Sequence, residues 1–169
     1  DVYKRQVRTP LDVALVIDHS GSMSDSAGTS ISMSKLDAAK QAAVAFLRAV
    51  ELSTDQVAVI GFDDRAQLQH ELDVKLDPLI TAIENLQVGG GTNIADGILA
   101  GHDELTSKRH RQDAAAVFIL LSDGQSSSAQ SAAQLAKVRD IRLVTIGLGG
   151  DVDGNELRSL SAAPTDYSF

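Results

Sequence analysis

A run of five apolar residues at positions 13–17 ends abruptly at an aspartate. The run is rich in β-branched side chains and has no polar alternation, which predicts a strand buried on both faces of a parallel sheet. Asp18, Ser20 and Ser22 follow at every second position around Gly21. We expect Gly21 to let the chain curl, so that the carboxylate and the two hydroxyls converge. The stretch therefore predicts a cluster of oxygen ligands at the carboxyl end of a buried strand.

Converging oxygen ligands suit a hard divalent cation, so the stretch predicts a site for Mg²⁺ or Mn²⁺, with Ca²⁺ as the alternative. Aspartate, serine and glycine are also ordinary turn residues, and the stretch could simply lead the chain out of the strand. Two later stretches favour the metal site. Thr92 directly follows three glycines, and Asp123 lies just after a second strongly apolar run at residues 114–121. If the two apolar strands are neighbours, the two aspartates face each other across one crevice.

Apolar runs and helical patterns alternate along the rest of the chain. Strands are predicted over residues 57–62, 66–72, 114–121, 141–148 and 167–169, and helices over residues 34–50, 76–86, 92–105, 129–138 and around 157–160. A Ser-rich loop is predicted over residues 24–34. Residues 66–72 alternate apolar side chains, including Leu68, with polar ones, which predicts an antiparallel edge strand.

This order of elements predicts a single α/β domain. The expected architecture is a doubly wound, Rossmann-like, mostly parallel sheet with one antiparallel edge strand and helices on both faces. Ligands in such sheets bind at the carboxyl ends of strands where the strand order reverses. All the candidate ligands fall at such ends.

The composition excludes several classes of function. With a net charge of -8, the chain has no surplus of Lys and Arg to neutralise phosphates, so nucleic acid and anionic membranes are not expected partners. Cysteine is absent, which excludes disulfides, thiolate zinc sites and cysteine nucleophiles. No run approaches the roughly 18 apolar residues of a membrane span.

Charged residues outside the motifs receive ordinary structural roles. We expect Lys35, Lys40 and Arg48 to face water from the first helix, and Asp63 and Asp64 to form a tight turn.

Two further features have competing interpretations. The loop at residues 151–156 offers four oxygen-bearing side chains and could be a second cation loop, but a helix cap explains it as well. His19 lies inside the first motif and invites a catalytic role. No nucleophile with a third orienting group accompanies it, so we expect it to line the rim of the site or contact the partner.

Three motifs together resemble the metal-ion-dependent adhesion site of von Willebrand factor type A domains, and the resemblance extends from Pro10 to Phe169. The motifs are Asp18-x-Ser20-x-Ser22, Gly-Gly-Gly-Thr92-Asn93 and Ser-Asp123-Gly124. The resemblance implies that Ser20, Ser22 and Thr92 bind the ion directly, while Asp18 and Asp123 act mainly through water. A glutamate or aspartate of a protein partner would complete the shell.

Three functions are compared. The resemblance favours a non-enzymatic, adhesion-type binding module, monomeric and located at the cell surface or secreted as part of a larger protein. A cytosolic assembly subunit that docks on an ATPase or chelatase is the alternative. A Mg²⁺-dependent phosphohydrolase with Asp18 as nucleophile is disfavoured, because Ser20 stands where such enzymes carry a second acid. We expect no catalytic residues and no organic cofactor.

The two ends of the chain carry separate expectations. Residues 1–6 resemble translated adapter sequence from metagenomic reads, so we expect them to be a non-native lead-in and residues 7–169 to form the domain. The alternative is a short natural lead-in. The resembled family usually closes with a long helix after the last strand, whereas this chain stops at Phe169, so we expect a fragment or a minimal version.

Overall fold

The structure, a computed structural model, describes residues 8–28, 31–124, 141–161 and 167–168. Its helices and strands, in chain order, are β1 (Leu11–Asp18), β2 (Ser26–Gly28), β3 (Ile31–Ser34), α1 (Lys35–Ala49), β4 (Gln56–Phe62), β5 (Ala66–Asp73), α2 (Leu76–Glu84), α3 (Ile94–Leu105), β6 (Ala115–Ser122), β7 (Arg142–Gly147), α4 (Gly154–Leu160) and β8 (Tyr167–Ser168). The helix predicted at residues 129–138 and the lead-in at residues 1–6 lie outside the described residues. The other predicted elements are confirmed, with ends shifted by a few residues.

The sheet reverses its strand order between β1 and β6. β1 pairs in parallel with β4 on one side and with β6 on the other, and β5 joins β4 as an antiparallel edge strand. β7 and β8 extend the sheet beyond β6, so the strand order is β5-β4-β1-β6-β7-β8. The predicted doubly wound sheet is therefore confirmed. Ile17 pairs with Leu121, so β1 and β6 end side by side at the switch point.

Helices cover both faces of the sheet, and each face has its own apolar core. On one face α1 and α2 contribute buried residues such as Leu47 and Leu79. On the other face α3 and α4 contribute Ile98 and Leu157, which belong to the same cluster as Phe118 of β6. The central strands are unbroken apolar runs because both of their faces are covered. Among the described helices, none combines the length and the apolar character that a bilayer crossing requires.

Ser34 ends β3 and fixes the start of α1. Its hydroxyl oxygen accepts the N–H of Asp37 at 3.0 Å and is also hydrogen-bonded to the Asp37 carboxylate at 2.8 Å. A serine that satisfies a backbone N–H of the first turn is a typical helix N-cap. The helix therefore begins at Lys35, whose side chain enters the candidate site.

Two local structures differ from the prediction. Part of the predicted loop at residues 24–34 forms a two-stranded hairpin of β2 and β3. These strands are only three and four residues long, so the alternation in β3 is too short to distinguish a strand from the surrounding Ser-rich segment. In β5, Leu68 is 45% exposed instead of facing the core. The pairing with β4 shifts register on either side of Val59, and such a bulge changes the direction of the side chains that follow it.

Candidate metal centre

Asp18 is the last residue of β1 and is fully buried. Its Oδ1 accepts the N–H of Ser20 at 2.9 Å, and its Oδ2 accepts the hydroxyl of Ser122 at 2.6 Å. Burial raises the pKa of Asp18 above its ordinary value of 3.8, against the effect of these hydrogen bonds, and the charge of Asp123 adds to the increase. Two carboxylates are therefore close enough at the switch point to repel each other, and a cation would relieve that repulsion.

The two serines of the first motif lie on a tight turn after β1. Ser20 is buried, and Ser22 is half-buried within a 3-10 helix, Gly21–Ser24. Their hydroxyl oxygens are 3.3 Å apart. The buried side chain of Met23 anchors the turn, and its N–H donates to the carbonyl of Ser20 at 3.0 Å. The structure thus brings Asp18, Ser20 and Ser22 to one place.

Residues 89–91, here termed the glycine loop, lie along this turn. The N–H of the first glycine donates to the carbonyl of His19 at 2.7 Å, and the carbonyl of the second accepts the N–H of Gly21 at 2.8 Å. Thr92 follows directly and is half-buried. Backbone hydrogen bonds therefore carry the segment that ends in Thr92 to the same end of the sheet as the two serines.

Gly21 allows a close approach between backbones rather than an unusual backbone conformation. A Cβ at this position would lie 3.3 Å from the carbonyl oxygen of Gly90. Among the described glycines, only Gly124 and Gly149 have a positive φ. The expectation that Gly21 is needed for the chain to curl is therefore corrected, because the turn forms without left-handed backbone and the glycine leaves room for the glycine loop.

The turn between β4 and β5 holds the glycine loop from outside. Asp63 Oδ2 accepts the N–H of Gly90 at 3.2 Å, and Asp64 Oδ1 accepts the N–H of Gly91 at 2.9 Å. A Cβ on any of the three glycines would overlap one of these carboxylates, which explains the triplet. Sequence reasoning assigned the two aspartates to the turn alone. Their partners lie 27 residues away, so no local pattern indicates the contact.

Asp123 follows β6, is fully buried, and pairs with a buried lysine. Lys35 Nζ lies 3.2 Å from Asp123 Oδ2 and 2.7 Å from Asp151 Oδ1. The expectation that Lys35 faces water is therefore wrong, whereas Arg48 is exposed and Lys40 is half-buried. Burial acts to lower the pKa of Lys35, but the hydrogen bonds to the two carboxylates outweigh it and raise the pKa above 10.5. The ammonium therefore stays charged.

The helical spacing of α1 contains a signal for this burial. Lys35 precedes Ala39, Ala43 and Leu47 at intervals of one helical turn, and all three are buried. The lysine therefore lies on the stripe that faces the sheet, and only its charge argued for a solvent-facing position.

The donor set fits a hard divalent cation. Ser20 and Ser22 offer hydroxyl oxygens, and Asp18 and Asp123 bring two buried negative charges, which is the chemistry that Mg²⁺ and Mn²⁺ prefer. Within the described ranges, no three His, Cys, Asp or Glu side chains are placed to hold a metal ion together. Hydroxyls would therefore have to supply part of the shell.

Comparison with known proteins identifies the family. Residues 12–169 match the family described as von Willebrand factor type A domain. The chain belongs to the von Willebrand factor type A (vWA) family. It is 29% identical over 163 residues to an uncharacterized protein of Synechocystis sp., covering 92% of this chain and 36% of that protein. It is 31% identical over 161 residues to calcium-activated chloride channel regulator 1 of Bos taurus, covering 93% of this chain and 17% of that protein.

Solved structures with this vWA fold include proteins whose metal site is occupied. The vWF domain of the type V pili tip protein Mfa5 from Porphyromonas gingivalis superposes with a TM-score of 0.80 at 14% identity, covering 96% of this chain and 90% of that one. Proximal thread matrix protein 1 from the mussel byssus, with a zinc-occupied MIDAS motif, gives a TM-score of 0.74 at 21% identity, covering 94% of this chain and 40% of that one. Manganese-loaded TRAP protein of Plasmodium vivax gives a TM-score of 0.71 at 19% identity, covering 95% of this chain and 68% of that one. At these identities the likeness shows the fold.

vWA domains are typically interaction modules rather than enzymes. His19 is half-buried, with its ring against Gly61. Asp153 caps α4 by accepting the N–H groups of Asn155 and Glu156, both at 3.1 Å, so the cap interpretation of the acidic loop is confirmed.

Proposed function

We propose that this vWA domain binds a divalent cation at its switch point and uses it to recognise a carboxylate of a protein partner. The supporting observation is the pair of buried carboxylates, Asp18 and Asp123, beside the converging hydroxyls of Ser20 and Ser22. Lys35 compensates only one of these two carboxylate charges, so the arrangement remains unfavourable without a further cation. A hard divalent ion supplies the charge and accepts oxygen ligands.

We assign the ligands as the family resemblance implies. Ser20, Ser22 and Thr92 would bind the ion directly, and Asp18 and Asp123 would act through water. The hydrogen bonds of Asp18 support this assignment, since both of its oxygens already accept one donor and the carboxylate is held in place. The pairing of Asp123 with Lys35 likewise engages one of its oxygens.

Mg²⁺ or Mn²⁺ is the proposed ion, with Ca²⁺ as the alternative. Oxygen-only donors favour these ions over Zn²⁺, which prefers nitrogen and sulfur ligands. One structural neighbour is manganese-loaded and another has a zinc-occupied MIDAS motif, which supports a divalent cation in general.

An adhesion-type role outside the cell is the proposed setting. The structural neighbours include a pilus tip protein and a protein of the mussel byssus, and the relatives include chloride channel regulators. No contact among the described residues favours docking on an ATPase or chelatase, nor phosphoester hydrolysis.

A thermal melt tests the proposal. We would melt the wild type and Asp123→Ala in EDTA, then with millimolar Mg²⁺, Mn²⁺ or Ca²⁺. A ligand at about 100 times its dissociation constant stabilises the folded state by about 2.7 kcal/mol. For a domain of this size the melting temperature should rise by about 5–10 °C. We expect the increase in the wild type and none in Asp123→Ala; equal shifts in both proteins, or none in either, would contradict the assigned site.

A further inference from the structure

Among the described residues, Lys35 has one of the largest fully buried side chains and carries a charge. Its ammonium bridges Asp123 at the end of β6 and Asp151 in the loop after β7, at 3.2 and 2.7 Å. Its aliphatic stem passes Gly149, where a Cβ would lie 2.5 Å from Lys35 Cε. Two separate segments, the end of β6 and the loop after β7, therefore surround this one side chain beside the candidate metal centre.

The three carboxylates at this end of the sheet differ in their exposure. Asp18 and Asp123 are fully buried, whereas the side chain of Asp151 is 56% exposed. Water therefore screens Asp151 much more strongly than the other two. The buried groups are two carboxylates and one ammonium, which leaves one net negative charge. A divalent cation would turn that into one net positive charge, which attracts a further carboxylate.

We propose that Lys35 is a positioning residue that sets the balance between cation affinity and ligand affinity. This proposal rests on the proposed metal site. Its ammonium engages one oxygen of Asp123, which opposes direct coordination by that carboxylate. The same charge weakens the binding of the cation and strengthens the hold of the bound cation on a partner's carboxylate. Lys35 would thus favour ligand recognition over the tightest possible metal binding.

Two affinities test this proposal on the full chain. The first is the Mn²⁺ dissociation constant, measured by calorimetry. The second is the acetate dissociation constant of the Mn²⁺-loaded protein, measured as the fall in water-proton relaxation rate when acetate displaces water from bound Mn²⁺. In Lys35→Met, Mn²⁺ should bind on the order of tenfold more tightly, because one nearby positive charge is lost. Acetate should bind at least about threefold more weakly.

Two further variants sharpen the test. Asp151→Asn removes the outer carboxylate and leaves the charge of Lys35 less compensated, so Mn²⁺ should bind about threefold more weakly and acetate more tightly. Lys40→Met is the matched control, since Lys40 lies on the same helix and donates to the carbonyls of Glu84 and Leu86 instead. The Mn²⁺ and acetate dissociation constants of Lys40→Met should stay within about twofold of the wild-type values.

In Lys35→Met the affinity for Mn²⁺ should increase and the affinity for acetate should decrease, whereas loss of a merely structural role would decrease both affinities. If both affinities are unchanged or both decrease in Lys35→Met, while the wild type binds Mn²⁺, the proposal is overturned. If Lys35→Met does not fold, Asp151→Asn decides, and an unchanged Mn²⁺ constant there would overturn it. A wild type that binds no Mn²⁺ would instead refute the proposed function.

Discussion

Replacing Asp63 with alanine should weaken metal binding from a position outside the proposed metal shell. Asp63 accepts the N–H of Gly90 at 3.2 Å and the N–H of Arg65 at 3.1 Å. The Arg65 hydrogen bond is the main reason that the pKa of Asp63 lies below 3.8, against an opposing effect of burial, and the Gly90 bond adds to it. Both bonds therefore stabilise the ionised carboxylate, and the Gly90 bond holds the turn against the glycine loop.

The size of the effect follows from these two bonds. Each partly exposed bond to a charged acceptor is worth about 1 kcal/mol, so Asp63→Ala should lose about 2 kcal/mol of stability. Only the Gly90 bond restrains the segment that carries Thr92. If losing this bond makes it about 1 kcal/mol less favourable to hold the segment in its binding position, the Mn²⁺ dissociation constant should rise about fivefold.

The assay is calorimetric titration of Mn²⁺ into the EDTA-treated, dialysed protein, with urea unfolding for stability. Asp63→Asn separates the effect of the hydrogen bond from the effect of the charge, because an amide oxygen can still accept the Gly90 N–H. Asp103→Ala is the matched charge control, since that side chain is 82% exposed on α3. We expect a loss of Mn²⁺ affinity for Asp63→Ala, a smaller one for Asp63→Asn and none for Asp103→Ala. Equal losses in the two Asp63 variants would show that charge matters and the hydrogen bond does not.

Three other perturbations have defined outcomes. Thr92→Ala should raise the Mn²⁺ dissociation constant about tenfold and cost under about 1 kcal/mol in urea unfolding, since a half-buried loop hydroxyl is lost; a larger stability loss would contradict this. Burial acts to raise the pKa of Glu104, but hydrogen bonds from Arg109 and from a backbone N–H lower it below 4.5. Its stability contribution is therefore lost as pH falls below 4.5, and Glu104→Gln should flatten that decline in urea unfolding between pH 7 and 3. Gly101→Ala would overlap Phe118 Cε2, so it should cost about 1–2 kcal/mol despite its better helix propensity, unless Phe118→Leu accompanies it.

The secondary structure and the doubly wound sheet could be predicted because their signals are local or general. Residues 13–17 and 114–121 are apolar on both faces, and a covered parallel sheet is what such runs require. The hairpin of β2 and β3 could not be predicted in this way. Its strands are only three and four residues long and lie in a Ser-rich segment, so the alternation in β3 is too short to mark a strand.

The expectation that Lys35 faces water was wrong. Lys35 contacts a carboxylate 88 residues away. A charged side chain is assigned to water by default because isolated burial is so unfavourable. That default fails for Lys35, because a distant segment supplies its partner beside the candidate metal centre.

The candidate metal centre rests on a frame of backbone hydrogen bonds, and this determines how its variants should behave. His19 N–H donates to the carbonyl of Phe62, the glycine loop donates back to His19, and Gly21 donates to the glycine loop. None of these bonds uses a ligand side chain. Removing the hydroxyl of Ser22 or Thr92 should therefore leave the three converging segments in place. Loss of cation binding and loss of folding are thus separable at these two positions, whereas at the buried Asp18 the two effects are coupled through its hydrogen bond with Ser122.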